Sequence, residues 1–250
     1  MISTIAIVRV TARNVLGLKR LLGFGLLAIF PAGVFLLLAR TATEIDKAEG
    51  FTTMSMGIFL PVIVPIITIV VAASVLGSER RGNTLSFLML RPLSRFSISG
   101  AKLASAVIAS FAITGAGAAV LGTIGSLVLH DFGFLIALLV AALIGTAGYS
   151  AVYMPLGYLT ERSTLIGFIY IFIWELAIAG AIQGLSGTSL WRISASAFVG
   201  LAPANLDFDL VEASLGSLAP GAGGAAIKVI ILGAASIAVT GWLLRTRDLT

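Results

Sequence analysis

The chain has 250 residues, of which 58% are hydrophobic and only 11% charged, and its mean hydropathy is +1.09. A soluble domain carries roughly 25% charged residues, so a water-facing surface is excluded for most of this chain and lipid must cover it. The net charge of +5 does not point to nucleic acid, because the basic residues flank apolar stretches rather than forming a stripe on a folded domain. The absence of cysteine excludes disulfides and thiolate chemistry, and the single His130 argues against a histidine metal site.

The first twenty residues form a basic leader. At 100° per residue Arg9, Arg13 and Arg20 fall within about 40° of one another, opposite Ile7, Val15 and Leu18. That pattern predicts a helix over 1–20 lying in the membrane interface with its cations toward phosphates. The leader is too long for a signal peptide and further apolar stretches follow, so the first span is expected to be retained.

A bilayer core needs about 20 apolar residues in a helix. Six stretches qualify, at 21–38, 54–77, 103–129, 132–158, 165–184 and 223–244. The third and fourth are separated by His130 and Asp131 alone, which predicts a tight helical hairpin. With the N-terminus inside, twelve of the sixteen basic residues fall on inner segments: Arg9, Arg13, Lys19, Arg20, Arg80, Arg81, Arg91, Arg95, Lys102, Arg162, Arg245 and Arg247. Arg40, Lys47, Arg192 and Lys228 fall outside, as do Glu44, Asp46, Glu49, Asp131, Asp207, Asp209 and Glu212. Because Lys and Arg near span ends set orientation, both termini are expected in the cytoplasm.

Within the second span, Pro61 and Pro65 predict a kink, as does Pro155 in the fourth. The connector 78–102 reads Ser-Glu-Arg-Arg-Gly-Asn-Thr-Leu-Ser-Phe-Leu-Met-Leu-Arg-Pro-Leu-Ser-Arg-Phe-Ser-Ile-Ser-Gly-Ala-Lys. Gly82 and Asn83 suit a turn. The apolar run 84–90 is too short to span, and Pro92 ends it by removing a backbone donor. Flanked by Arg91, Arg95 and Lys102, the element should lie at the inner face and meet something cytoplasmic. Glu79, at the inner end of a span, is expected to pair with a neighbouring Arg or to receive backbone donors; the alternative is a solvated charge beside Arg80 and Arg81.

This connector resembles the signature of ABC-2-type transporter permeases, in which a Glu is followed by Gly-Thr-Leu, a leucine run, Pro, Arg and Gly-Lys. Glu79, Thr84, Leu85, Leu88, Pro92, Arg95 and Lys102 stand at the matching spacing. Asn83 takes the usual Gly place, with Gly82 one residue early, and Ala101 precedes Lys102. Asn tolerates the left-handed conformation, so the turn survives the first departure. The resemblance implies an all-α, six-span permease with both ends inside and a partly re-entrant outer segment at 185–222. It also implies a second permease copy, two cytoplasmic ATPase subunits that hold ATP and Mg, and location in the plasma membrane, with export as the usual direction. No cofactor and no catalysis are expected in this chain, which has no Gly-rich run ending in Gly-Lys-Ser/Thr. Relatives include exporters and permeases serving metal-enzyme maturation, and the apolar walls lean toward an amphipathic or hydrophobic cargo. The coupling residues carried over are Glu79, Arg80, Arg81, Thr84, Leu85, Leu88, Arg91, Pro92, Arg95 and Lys102, with Arg9 and Arg13 of the leader. The Glu161–Arg162 turn is either a further ATPase contact or a simple polar loop.

Glu175 lies mid-span, where an ionisable side chain costs about 2.5–3.5 kcal/mol on insertion scales. It is either a translocation-path or proton-sensitive residue, or a structural hydrogen-bond partner of another span. Tyr149 and Tyr153 either line a cavity or join an aromatic belt, and Tyr158 is expected in the belt. Gln183 is expected at an interface. Gly115, Gly117, Gly122, Gly125, Gly145 and Gly148 predict close helix approach. The stretch 190–199 should sit at the outer interface as an exit gate, and Asp207, Asp209 and Glu212 should form a solvated turn rather than a cation site. Two other functions fit the composition: a secondary transporter or channel using Glu175, and a non-transporting membrane anchor for a cytoplasmic partner. The first of these leaves the connector unexplained.

Overall fold

A computed structural model of the chain describes residues 8–11, 17–41, 43–81, 94–178, 189–203 and 221–246, and these are helical with no strand among them. After a helical turn at 8–11, α1 runs over Leu18–Leu38 and α2 over Glu44–Thr52. A π-helical stretch, Thr53–Ile63, leads without a break into α3, Val64–Arg81. Then come α4 (Arg95–Val128), α5 (Gly133–Leu159) and α6 (Ser163–Ile169), the last continued by a second π-helical stretch, Tyr170–Ile178. The final elements are α7 (Leu190–Val199) and α8 (Gly221–Thr246).

Five stretches are long and apolar enough to cross a bilayer: Leu18–Leu38, Asp46–Glu79, Arg95–Val128, Gly133–Leu159 and Gly221–Thr246. The fifth expected span is helical from Ser163 to Ile178, and the rest of it, with Gln183, lies outside the described residues. The boundaries move for local reasons. Thr43 starts α2 through a capping box, its Oγ1 accepting from the Asp46 N–H at 3.4 Å while the Asp46 carboxylate accepts from the Thr43 N–H at 3.2 Å. Ser94 starts α4, accepting from the Ser97 N–H at 3.0 Å. The last eight residues of the expected connector are therefore the first turns of a long helix.

Pro61 lies inside the π-helical stretch and Pro65 in the first turn of α3, with no gap in the helix between them. The wider π geometry, with hydrogen bonds one residue longer than in an α-helix, accommodates Pro61 inside one continuous rod. Pro155 likewise sits inside the unbroken α5. The expected hairpin between α4 and α5 is present. His130 adopts φ 56°, and the Asp131 N–H reaches back to the Ser126 carbonyl at 3.1 Å. That bond closes the Schellman geometry that ends α4. Asp131 then accepts from the Gly133 N–H at 2.8 Å and starts α5.

The core lies between α3, α4, α5 and α7. It is built on close approach rather than on bulk. A Cβ added at Gly157 would lie 2.2 Å from the Ala73 carbonyl oxygen, and one at Gly117 would lie 2.6 Å from the Ala28 carbonyl oxygen. Gly122, Gly125 and Gly145 also meet Leu135, Phe51 and Ser194 within 3.1 Å of such a Cβ, as the sequence suggested. Gly115 abuts Phe111 of its own helix, and Gly148 has only an ordinary contact. Thr114 and Thr146 join α4 to α5 by a buried 3.0 Å hydroxyl pair. A second, smaller cluster of Leu76, Ile98, Leu103, Met154, Tyr158, Leu243 and Leu244 ties α3, α4, α5 and α8 at the Lys102 end. Tyr158 is therefore a core residue at 4% exposure and not part of a belt.

Candidate functional site

Two polar constellations stand out, one at the end of the helix set where α3 meets α4 and one in its interior. The first is centred on Lys102, in the second turn of α4. It is 1% exposed, so its ammonium needs partners to offset desolvation. Its Nζ donates to Thr11 Oγ1 at 2.7 Å and forms an ion pair with the Glu79 carboxylate, whose side chain keeps 24% exposure. Glu79 thus pairs with a residue 23 positions away in the chain. The reason is geometric: α3 and α4 are antiparallel neighbours, and the Leu76–Ile98–Leu103 cluster fixes their ends side by side.

Three segments that the sequence treats separately therefore meet at one nitrogen: the helical turn at 8–11, the end of α3 and the start of α4. Thr11 was missed. Its signal is angular, since at 100° per residue it falls about 180° from the centre of the Arg9–Arg20 wedge. In the structure Arg9 is exposed and Thr11 is 6% exposed. Arg95 is half-buried, and its Nη1 has no hydrogen-bond partner among the described residues. Arg13, Thr84, Leu85, Leu88, Arg91 and Pro92 lie outside the described residues, as do the side chains of Arg80 and Arg81. Glu161 and Arg162 form an exposed turn, in which the Arg162 N–H donates to Thr160 Oγ1 at 3.2 Å.

The second constellation is centred on Glu175, 1% exposed. Its carboxylate accepts from Ser189 Oγ at 2.8 Å, the Leu190 N–H at 2.9 Å and the Trp191 N–H at 3.2 Å. These donors are the N-terminus of α7, where free N–H groups and the helix dipole favour an anion. Ser189, the N-cap of α7, was also missed by sequence reasoning, although a Ser just before an apolar run is a start signal. Tyr149, Tyr153 and Tyr170 gather around this point, with ring centroids 6.3 Å apart for the first pair and 6.2 Å for the second. All three are close enough to Glu175 to feel its charge. Tyr149 and Tyr153 are buried at 0% and 1% exposure and are core residues rather than a belt.

The helix so capped is not a surface segment. Leu190 through Phe198 are buried apart from the half-buried Trp191. α7 lies along α5, with Leu190 at Gly148, Ser194 at Gly145 and Pro203 at Gly133. At 1.5 Å per residue, the α7 N-terminus is about 22 Å along α5 from its His130 end, past the midpoint of that helix. Arg192 is 8% exposed, and two of its guanidinium nitrogens have no hydrogen-bond partner among the described residues. Asp207, Asp209 and Glu212 lie outside the described residues. Among the described residues, no group of His, Asp and Glu side chains could hold a metal ion.

Residues 18–179 match a family model described as ABC-2 family transporter protein. The match covers α1 through the second π-helical stretch, so it includes Glu79, Lys102 and Glu175 and leaves out α7 and α8. No curated protein matches the chain.

Proposed function

This chain belongs to the ABC-2 transporter family, and on that premise we propose that it is an exporter permease worked by two copies of a separate cytoplasmic ATPase. The carrying observation is the Lys102 junction. Residues 82–93 leave from the end of α3 and return at the start of α4, and Lys102 ties both roots to the leader helix through Glu79 and Thr11. A force applied to that connector is then shared by α3, α4 and the leader and does not dissipate in one loop. Closure of an ATPase dimer beneath it supplies such a force.

In this reading both termini and the connector are cytoplasmic in the plasma membrane, and the exposed Glu161–Arg162 turn faces the same partner. A second permease copy, identical or related, completes the path. The α7 segment is a re-entrant half-helix that enters from the outer side, as its descent along α5 supports. Glu175, Tyr149 and Tyr153 act on the path by seating α7. A secondary transporter that loads a coupling ion on Glu175 fits less well, because α7 donors already engage both carboxylate oxygens.

The test is purification of the full chain in mild detergent from its native membrane, with labelling of single cysteines placed in 78–102. An ATPase of separate sequence should copurify, and the cysteines should react only from the cytoplasmic side. A chain that moves solute alone, or a connector that labels from outside, overturns the proposal.

A further inference from the structure

We propose that Glu175 is the positioning residue that keeps the α7 half-helix seated, and that release of its cap opens the outer end of the translocation path. The inference rests on the permease reading but is carried by different residues, largely outside the matched family region.

The geometry separates this carboxylate from an ordinary buried acid. Three of its hydrogen bonds go to one short element, through one hydroxyl and two consecutive backbone N–H groups, while the Tyr149 and Tyr170 hydroxyls flank the carboxylate. The Tyr170 hydroxyl lies beside the Leu190 N–H as well, so the cap is reinforced from the same helical stretch that carries Glu175. Unseating α7 therefore exposes two N–H groups and a carboxylate together, which makes the contact close to all-or-none. Its charged neighbour on α7 is Arg192, whose buried Nε and Nη1 have no hydrogen-bond partner among the described residues. Glu175 is the nearby counter-charge, so the seated state holds two opposite charges at low exposure and the unseated state separates them.

The remaining contacts of α7 are apolar: Leu190, Ile193 and Phe198 join the core, with the Phe198 ring 6.3 Å from that of Phe51. Its face toward α5 is small, with Ser194 against Gly145, and the Ser194 hydroxyl bonds to its own helix at the Trp191 carbonyl. Ser196 Oγ and Trp191 Nε1 are buried without partners among the described residues. An element with few polar ties of its own and one concentrated tie at its buried tip moves as a unit when that tie breaks. The tie is made by the same helical stretch, Tyr170–Ile178, that continues from the Glu161–Arg162 end. A displacement of that stretch thus reaches α7 directly.

The chain has no native cysteine, so Ala197→Cys places a single thiol on buried α7. The full permease and its copurifying ATPase, in proteoliposomes, are treated with a membrane-impermeant maleimide from the outer side, with and without ATP. With Glu175 present, labelling should be slow and rise on ATP addition. Glu175→Gln keeps the shape but turns an amide nitrogen toward backbone donors, so labelling should rise at least tenfold and lose its ATP dependence. Ser189→Ala removes one of the three bonds and should give a smaller rise that keeps the dependence; it decides the matter if Glu175→Gln does not insert. Unchanged labelling in these variants overturns the proposal. Faster labelling with an unaltered ATP response also overturns it, since the residue would then be structural only. If ATP moves neither wild type nor variant, the permease reading fails, and with it the opening role assigned to Glu175.

Discussion

Replacing Lys102 with methionine keeps the length of the side chain and removes its charge, so it tests the junction and little else. Removing one partner of a buried ion pair costs about 3–5 kcal/mol when the other is left dry. Glu79 retains 24% exposure, so part of its charge is rehydrated, and the expected cost falls to about 2–3 kcal/mol. The reverse change is more damaging. Glu79→Gln strands an ammonium at 1% exposure, and should cost the full 3–5 kcal/mol, roughly, unless the lysine gives up its proton. The double variant, neutral at both positions, should be more stable than the sum of the singles predicts by about 1.5–3 kcal/mol. Thermal unfolding of the detergent-purified chain reads these values as shifts of about 5–10 °C for Lys102→Met and more for Glu79→Gln. Two singles that unfold like wild type, or a double that is simply additive, would refute the claim that this pair holds the α3 and α4 ends together.

Three further outcomes follow from other contacts. Gly157→Ala forces a methyl to within 2.2 Å of the Ala73 carbonyl and should destabilise by about 1–3 kcal/mol. Gly23→Ala in α1, where nothing lies within 4 Å, should be neutral or gain up to about 1 kcal/mol of helix propensity; equal melting shifts would contradict the packing described. Thr114→Val should cost about 1–2 kcal/mol because it strands Thr146, whereas the double Thr114→Val and Thr146→Val should recover most of that in the same assay. Arg95→Ala should leave expression and insertion intact while uncoupling ATPase rate from transport in the reconstituted assembly, and normal coupling in that variant would remove Arg95 from the machinery.

The spans were legible because lipid imposes a length and an apolar composition that few other structures require, and the His130–Asp131 hairpin followed from the bare count of residues between two spans. What composition could not show was who meets whom. Lys102 was readable as a flanking cation, but its burial against Glu79 and Thr11 depends on the antiparallel placement of α3 and α4, which no local pattern encodes. The proline pair gave the position of an irregularity, and its π-helical form, one answer to a missing N–H, was not readable from the prolines alone. Mid-span Glu175 announced itself by its cost. Its partners stayed hidden because they lie 14 to 16 residues away, on a helix too short to register as a span.

The helices are unequally shielded from their surroundings: 78% of the apolar window in Asp46–Glu79 is buried within the chain, against 22% in α1 and 28% in α8. Within the single chain, the most open faces are therefore those of its first and last long helices. Both grip α4 at glycine crossings or aromatic contacts, α1 through Ala28 at Gly117 and α8 through Gly241 at Phe96. A bilayer that thins or thickens would act on α1 and α8 first, and the strain would arrive at the helix that carries Lys102, giving acyl-chain length a mechanical route to the junction of α3 and α4.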